Sequence, residues 1–273
     1  MDARAPAPTK TRPSGDDSLF GHVVVGIDET PESLVGAAQA GVLRAPGGHL
    51  VLVAVAERHL AAHAGLAAAD AEDRLRAGTE NDLARARELV DADEAVLSAG
   101  NFVEVLSAEC GRRGATLVAV GVRPHRRLAA LTFGGHDVEA LHEATCSVLI
   151  ARPGWGPSRP ERIVVGIDGS PESLTAEAVA RSLAGRLGCE VVPVIGLGDD
   201  VDLEVLRSER ADALLDPGRL HDAVVGASSK GSLVVVGSGR ERGRRWGGSL
   251  SERVVYGARC SVLVVRHGST AAA

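Results

Sequence analysis

Aromatic side chains are scarce in this sequence, which holds three Phe, two Trp and one Tyr among 273 residues. Proteins that bind single-stranded nucleic acids stack bases on aromatic rings, so this scarcity argues against that class of partner. Hydrophobic residues nevertheless make up 45% of the chain. The core must therefore be built from Val, Leu, Ile and Ala, which suits buried parallel strands and closely packed helices.

An excess of positive charge and a long apolar run are both absent. The formal net charge is −6 and the sequence pI is about 5.9, so we expect no general nucleic-acid partner. No apolar run approaches the roughly 20 residues that cross a bilayer, so we expect no membrane partner. The four cysteines form no C-x-x-C pair, which is typical of reduced thiols in a cytoplasmic protein.

The chain contains an internal repeat. The segment VVVGIDETPESL at 23–34 returns as IVVGIDGSPESL at 163–174, an offset of 140 residues. Further on, GGHDVEALHEATCSVLIAR at 134–152 corresponds to GSLSERVVYGARCSVLVVR at 248–266, an offset of 114. A repeat of this length predicts two domains, and the second is shorter between these landmarks by 140 minus 114, or 26 residues.

Composition at the joins sets the domain boundaries. Residues 153–160 are rich in Pro and Gly, which break helices and strands, and we interpret them as a linker. The first domain is then 21–152 and the second is 161–267. Residues 1–20 have no apolar core, so they predict a disordered tail and no secretory signal, and 268–273 form a second tail.

Apolar strand-like runs alternate with helical stretches in both domains. This alternation predicts an α/β fold, with a parallel sheet covered by helices on both faces. A long helical stretch at 66–90 of the first domain has no counterpart in the second. Pro193 removes a hydrogen-bond donor from the second strand of the second domain, so we expect that strand either to be irregular or to pair on one side only at this point.

A glycine-rich segment, GSGRERGRRWGGSLSE at 237–252, follows a buried strand of the second domain. Its glycines let backbone N–H groups approach a phosphate, and a helix starting near Ser249 has an N-terminus that attracts anions. A reading without a ligand stays open, because Ser249 or Ser251 can simply be an N-cap. The segment is not a dinucleotide fingerprint, since RERGRRW cannot form the amphipathic helix which that motif requires, and no Walker motif occurs.

Other motifs point away from metal and catalytic sites. HEATC at 142–146 lacks the second histidine of a zinc-protease helix, and His59 and His63 have no third ligand nearby. No G-x-S-x-G elbow is present to position a nucleophile. We therefore expect no metal site and no catalytic residues.

Two aspartates, Asp28 and Asp168, hold the same place in the repeat. Each is followed two residues later by a candidate N-cap, Thr30 or Ser170, and then by a proline at the first helical position. Because the Thr or Ser serves as the cap, we expect both aspartates to be free to bind another partner.

These segments together resemble the universal stress protein family, in a tandem two-domain form. The resemblance rests on VVGIDGSPES, on the strand LVVVG and on GGSLSERVVYGARCSVLVVR, and it covers residues 21–267 apart from the missing middle of the second domain. It implies that each domain is a doubly wound, Rossmann-like α/β fold with a five-stranded parallel sheet, and that the domains pair through their last strands. Many members of the family bind ATP through a G-x2-G-x9-G-[ST] signature, and others bind no nucleotide.

The second domain matches this signature in part. The resemblance places its aspartate beside the ribose or adenine, and the backbone at the end of its second strand along the adenine edge. The second glycine of the signature is Gly239, one residue early, and the next position is Arg. The nucleotide-binding residues expected in this domain are Asp168, Ile195, Gly237, Gly239, Arg240, Gly248, Ser249 and Ser251.

The first domain keeps the spacing of the signature but loses hydrogen-bond donors. Position 124 is Pro, which has no N–H, and Gly135 stands where the signature has a hydroxyl. The weaker site expected in this domain consists of Asp28, Val55, Gly121, Gly134 and Gly135.

The resemblance implies a cytoplasmic regulatory protein of the stress response that binds ATP, ADP or AMP in at least the C-terminal domain, with or without Mg²⁺. The protein would not be an enzyme beyond slow ATP hydrolysis, since no general base beside a metal site is evident. A homodimer and an unidentified regulatory protein partner are further expectations. The alternative is a nucleotide-free interaction and dimerisation scaffold in which both sites have decayed.

Overall fold

A computed structural model of the chain describes residues 19–56, 68–122, 146–155, 158–196, 210–216, 219–238 and 250–266. The first half holds β1 (His22–Ile27), α1 (Pro31–Leu43), β2 (His49–Ala56), α2 (Ala68–Leu89), β3 (Glu94–Ala99), α3 (Phe102–Arg113), β4 (Leu117–Gly121) and β5 (Ser147–Ala151). The second half holds β6 (Arg162–Ile167), α4 (Pro171–Leu187), β7 (Glu190–Gly196), β8 (Leu214–Asp216), α5 (Leu220–Ala227), β9 (Ser232–Ser238), α6 (Leu250–Gly257) and β10 (Ser261–Arg266).

The strands of both halves form one sheet, in the order β3-β2-β1-β4-β5-β10-β9-β6-β7-β8. Within each half the neighbouring strands are parallel. The predicted α/β class, with a doubly wound five-stranded arrangement in each half, is confirmed. The domain boundaries stay predictions, and nearly all of both predicted tails lies outside the described residues.

Apart from the partly exposed edge strands β3 and β8, the strands are largely buried on both faces because their side chains alternate between two aliphatic cores. In β1, Val23, Val25 and Ile27 belong to one core, and Val24 belongs to the other. Helices α1, α2 and α4 cover the first core, while α3, α5 and α6 cover the second. Buried alanines on α1 and α4 keep these two helices close to the sheet. The aliphatic composition thus serves a sheet that has no solvent-facing side.

In the described residues, the segment that leads to the edge strand is α2 in the first half and a turn in the second. In the first half, α2 packs against β2 and α1. In the second half the described residues between β7 and β8 form a turn, in which Arg210 pairs with Glu177 and Asp212 pairs with Arg181, both on α4. Residues 197–209 of this connection lie outside the described part of the chain. The turn therefore fastens the edge of the sheet to α4 through charged side chains.

Pro193 lies in β7 at a point where one side of the strand is unpaired. It stands opposite Val165 of β6, whereas the edge strand β8 pairs with β7 only from Val194 onward. The proline therefore removes no donor that β8 needs, which agrees with the expectation that this strand pairs on one side here.

The two halves join through an antiparallel pairing of β5 and β10. Leu263 lies opposite Leu149, and these leucines occupy equivalent positions in the repeat. The pairing is therefore symmetric about a local twofold axis, like the interface of a homodimer. Polar contacts follow this symmetry, since the serine that begins each strand accepts a hydrogen bond from the arginine N–H at the end of the other, over 3.0 and 3.4 Å. The prediction that the halves pair through their last strands is confirmed.

One buried polar residue departs from this symmetry. Gln39, on α1, is fully buried and donates from Nε2 to Arg152 O over 3.0 Å and to Trp155 O over 2.9 Å. Its Oε1 accepts from Ser261 Oγ over 2.7 Å. The equivalent position in α4 is Val179, which has no polar side-chain atom. A hydrogen-bonded side chain therefore fastens α1 to the junction of the halves.

Replacing Gln39 by Leu, which has a similar size, should destabilise the protein. Trp155 O would lose its donor in a buried environment, which costs about 1–3 kcal/mol of the free energy of unfolding. Urea titration followed by circular dichroism measures the difference from the wild type. An unchanged free energy of unfolding, at an unchanged slope against urea, would contradict the role assigned to Gln39.

Candidate functional site

The crevice expected to hold a ligand lies at the carboxyl ends of the first and fourth strands of each half. These strands are neighbours, β1 with β4 and β6 with β9, and the strand order reverses between them. Such a reversal opens a crevice beyond the strand ends of an α/β sheet. The strand register brings part of each predicted site to this crevice, namely Asp28, Val55 and Gly121 in the first half and Asp168, Ile195 and Gly237 in the second.

Each aspartate accepts hydrogen bonds within the turn that follows its strand. Asp28 Oδ1 accepts hydrogen bonds from the N–H of Thr30 over 2.9 Å and from its hydroxyl over 2.5 Å. Asp168 Oδ1 accepts from the N–H and the hydroxyl of Ser170 over 3.0 and 2.6 Å. The expectation that the aspartates are free is therefore wrong for Oδ1 of each, because this oxygen completes an Asx-type turn before the helix.

The N-caps of α1 and α4 differ. Ser170 Oγ accepts from the N–H of Ser173 over 3.2 Å, as expected of an N-cap. Thr30 holds the N-cap position of α1, but its side chain makes no capping hydrogen bond. The predicted N-cap position is thus correct in both halves, but only Ser170 makes the capping hydrogen bond, because the Thr30 hydroxyl donates to Asp28 instead.

Two serines that shape the turn are missing from the sequence prediction. Ser33 and Ser173 are buried, and their hydroxyls donate to Thr30 O over 2.8 Å and to Ser170 O over 2.9 Å. The signal for them is in the repeat itself, because the tripeptide PES follows the cap in both halves. Each serine joins the first turn of its helix to the loop that carries the aspartate.

The turn favours the ionised form of Asp168. Partial burial raises the pKa of its carboxyl, but hydrogen bonds from the hydroxyl and N–H of Ser170 and from Ser173 outweigh burial and lower the pKa below the ordinary 3.8. Asp168 is therefore a carboxylate at neutral pH, with Oδ1 engaged in the turn. A carboxylate in this position is suited to accept hydrogen bonds from ligand hydroxyls.

Gly121 and Gly237 are required by packing. A Cβ on Gly121 would lie 1.9 Å from Glu32 O, and a Cβ on Gly237 would lie 2.3 Å from Glu172 O. Both carbonyls belong to the first turn of the helix after the aspartate, so the end of the fourth strand touches the start of α1 or α4. Only glycine permits this approach. Because the contact is the same in both halves, these glycines do not by themselves distinguish a ligand site from a packed loop.

Val55 and Ile195 turn their side chains into the core. Both are less than one-tenth exposed, so only their backbone can face a ligand. At the next position of β7, a Cβ on Gly196 would lie 2.4 Å from the backbone of Leu220. The start of α5 therefore closes against the end of β7, beside the backbone predicted to border a ligand.

Ser251 lies inside α6 and not at its cap. The described residues of α6 begin at Leu250 and Ser251 is 4% exposed, so Ser251 is not the N-cap. The remaining predicted residues lie outside the described part of the chain and stay predictions, namely Gly239, Arg240, Gly248 and Ser249 in the second half and Gly134 and Gly135 in the first.

The described ranges contain neither a metal cluster nor a helix suited to a bilayer. No three His, Cys, Asp or Glu residues within them are placed to bind one metal ion. Each helix of the described residues is too short or too polar to cross a membrane. Within the described residues, each crevice offers a ligand an aspartate carboxylate and backbone polar atoms.

Both the sequence and the fold have known relatives. The model of the Universal stress protein family matches residues 19–152. The fold of the whole chain is similar to that of a universal stress protein from Archaeoglobus fulgidus DSM 4304, with a TM-score of 0.69 and 14% sequence identity over 92% of this chain and 98% of that chain. A functionally unknown protein from Pseudomonas aeruginosa PAO1 is similar with a TM-score of 0.61 and 16% identity, over 94% of this chain and 96% of that chain.

Residues 19–152 therefore form a domain of the universal stress protein family, and the predicted family is confirmed for this half. The second half repeats the strand order of the first in the same sheet, so the tandem arrangement consists of two copies of this strand order joined in one sheet.

Replacing Gly121 or Gly237 by Ala should destabilise the protein, because the added Cβ pushes the helix start away from the strand end. Overpacking of this kind costs about 1–3 kcal/mol. Gly111→Ala on α3 and Gly185→Ala on α4 are matched controls, since a Cβ there meets no atom within 4 Å. The controls should be neutral or stabilising by up to about 1 kcal/mol, as alanine favours a helix. Urea unfolding of the four variants would contradict the packing role if all four behaved alike.

Proposed function

We propose that the second half binds an adenine nucleotide such as ATP in the crevice between β6 and β9. The observation that carries the proposal is the ionised Asp168 beside Gly237 at the reversal of strand order. From this point the glycine- and arginine-rich segment 237–249 leads to α6. Nucleotide-binding α/β folds place their ligands at such a reversal, with phosphates on backbone N–H groups near a helix N-terminus. Membership of the universal stress protein family supports the same ligand class.

Each part of the nucleotide has its own partner in this proposal. Asp168 accepts hydrogen bonds from the ribose hydroxyls, and the backbone at Ile195 borders the adenine. Ser251 supports the start of α6 from within the helix, because it is buried. Backbone N–H groups and a positive side chain bind the phosphates, with Mg²⁺ as an optional bridging ion, and the residues concerned are Gly237, Gly239, Arg240, Gly248 and Ser249.

The first half binds the same ligand weakly or not at all. Its crevice offers Asp28 and Gly121 in the same register as Asp168 and Gly237. Val55 lies one position beyond the equivalent of Ile195, because Ile27 pairs with Ala54 whereas Ile167 pairs with Ile195. In the segment 121–135, which corresponds to the glycine-rich segment of the second half, Gly134 keeps its place. Pro124 removes a backbone donor there, and Gly135 stands where the signature has a hydroxyl.

A nucleotide-dependent regulator of the stress response in the cytoplasm is the function that this site supports best. The sequence offers no general base beside a metal site, so the proposal includes no enzymatic role beyond slow ATP hydrolysis. The net charge of −6 supports a regulatory protein partner over a nucleic acid, and no membrane partner is proposed.

A nucleotide-free scaffold is the second candidate, and one observation favours it. Packing alone accounts for Gly121 and Gly237, and the turn accounts for one oxygen of Asp28 and of Asp168. The presence of these four residues therefore does not require a ligand.

Thermal unfolding with ATP, ADP or AMP separates the two candidates. A nucleotide at 100 times its Kd adds about 2.7 kcal/mol of stability, which should raise the unfolding midpoint of the wild type by about 5–10 °C. Asp168→Asn isolates the charge, because Asn keeps an oxygen that can accept from Ser170. It should reduce affinity about tenfold, as expected for a lost charge-assisted hydrogen bond. The matched Asp28→Asn should leave the shift unchanged.

Two outcomes would contradict this assignment. A wild type that shows no shift with any of the three nucleotides, and releases none on denaturation, would favour the scaffold. A larger effect of Asp28→Asn than of Asp168→Asn would place the stronger site in the first half.

The expected homodimer stays a proposal, and the junction of the halves limits where it can form. Because β5 and β10 pair with each other, a second chain cannot add a strand to either of them, whereas the edge strands β3 and β8 are open to one. Light scattering after size-exclusion chromatography should give twice the chain mass of 28.1 kDa. A mass of one chain across the accessible concentration range would refute the homodimer.

A further inference from the structure

Arg152, which directly follows β5 in the first half, sends its guanidinium into the second half. The side chain is 4% exposed, and it donates from Nη2 to Val255 O over 2.8 Å and from Nη1 to Cys260 O over 3.0 Å. Burial lowers the pKa of this guanidinium, but arginine stays protonated in proteins. A cation is therefore held against two backbone carbonyls of the other half.

The first of these carbonyls belongs to the last turn of α6. Carbonyls in the last turn of a helix have no partner within the helix, and a cation there also complements the helix dipole. With eight residues, α6 is far too short to be stable alone, so contacts at its ends matter. The helix is also the one that follows the glycine-rich segment 237–249.

The backbone of Arg152 is fixed as firmly as its side chain. Its carbonyl accepts from Gln39 Nε2 and its N–H donates to Ser261 Oγ, both in buried surroundings. Gln39 lies on α1, which begins at the turn tied by Asp28. A continuous series of buried hydrogen bonds therefore joins the helix beside the first crevice to the helix beside the second.

We propose that Arg152 is a positioning residue through which the first half holds α6, so that nucleotide binding in the second half depends on the first half. The proposal rests on the proposed function for its ligand, but the holding of α6 can be tested without one. Arg152 lies at the junction of the halves and makes no contact with the nucleotide itself. It acts by keeping in place α6, the helix that follows the glycine-rich segment 237–249.

The test uses the full-length chain and three variants. Arg152→Met keeps the length of the side chain but donates no hydrogen bond, and Arg152→Lys can reach one of the two carbonyls. Arg186→Met is the matched control, because Arg186 also binds carbonyls across the halves, at Leu19 and Leu43, but lies on α4, which covers the opposite face of the sheet from α6. Hydrogen exchange of the peptide covering α6 is measured without nucleotide, with the β1 and β6 peptides as reference for global stability. ATP affinity is then measured by isothermal titration calorimetry.

Arg152→Met should speed exchange in α6 by about tenfold or more while the reference strands change little, since hydrogen bonds from a charged donor are lost locally. The same variant should weaken ATP binding severalfold. Arg152→Lys should fall between it and the wild type, and Arg186→Met should leave both α6 exchange and ATP affinity unchanged.

Unchanged α6 exchange in Arg152→Met would overturn the proposal. Faster exchange in α6 with unchanged ATP affinity would overturn the link to the site. A uniform rise of exchange in α6 and in the reference strands would also overturn it, because Arg152 would then support only global stability. A wild type that binds no ATP would refute the proposed function, and the exchange comparison would still decide whether Arg152 holds α6.

Discussion

The antiparallel pairing of β5 and β10 is the contact on which the rest of the structure depends. Both strands are buried along their whole length, so neither could remain at the edge of a five-stranded sheet without exposing apolar side chains and unpaired backbone groups. Pairing them about Leu149 and Leu263 closes both edges at once. The same pairing places α1 and α4 on one face of a single sheet, where Gln39 and Arg186 reach across to the other half.

Symmetry is kept in the two paired strands of this junction and lost in the helices around them. The serines and leucines of β5 and β10 repeat at equivalent positions, since an interface built on a twofold axis requires the same surface from each side. In the covering helices, Gln39 of α1 contacts the junction whereas its equivalent in α4 is Val179, and only α4 is joined to its edge strand by the charged turn of Arg210 and Asp212. The halves are therefore free to diverge in ligand binding while the junction constrains them to stay alike.

The fold could be predicted from the sequence because its signals are local. Aliphatic runs, the alternation of strands and helices, and each of the repeated segments lie within short windows of sequence. Together they suffice for the strand order once the family is recognised. The contacts of Gln39 and Arg152 could not be predicted, since they join residues more than 100 positions apart and no periodic pattern marks them. The prediction that Asp28 is free is wrong for another reason. A short polar side chain can hydrogen-bond within a turn or bind a ligand, and sequence spacing alone does not decide between the two.

The same reasoning changes which residues can identify a nucleotide site. Gly121 and Gly237 meet the first turn of the following helix in the same way, so the first half must keep its glycine even if it binds nothing. Tying the turn likewise needs an oxygen at Asp28 and Asp168 but no negative charge, because an amide oxygen accepts the same hydrogen bonds. The negative charge of the carboxylate has no such packing requirement, but both halves carry it. We therefore expect a difference in ligand binding between the halves to come from the segments 121–135 and 237–249, whose sequences differ, and the glycines that first suggest the motif are its least informative part.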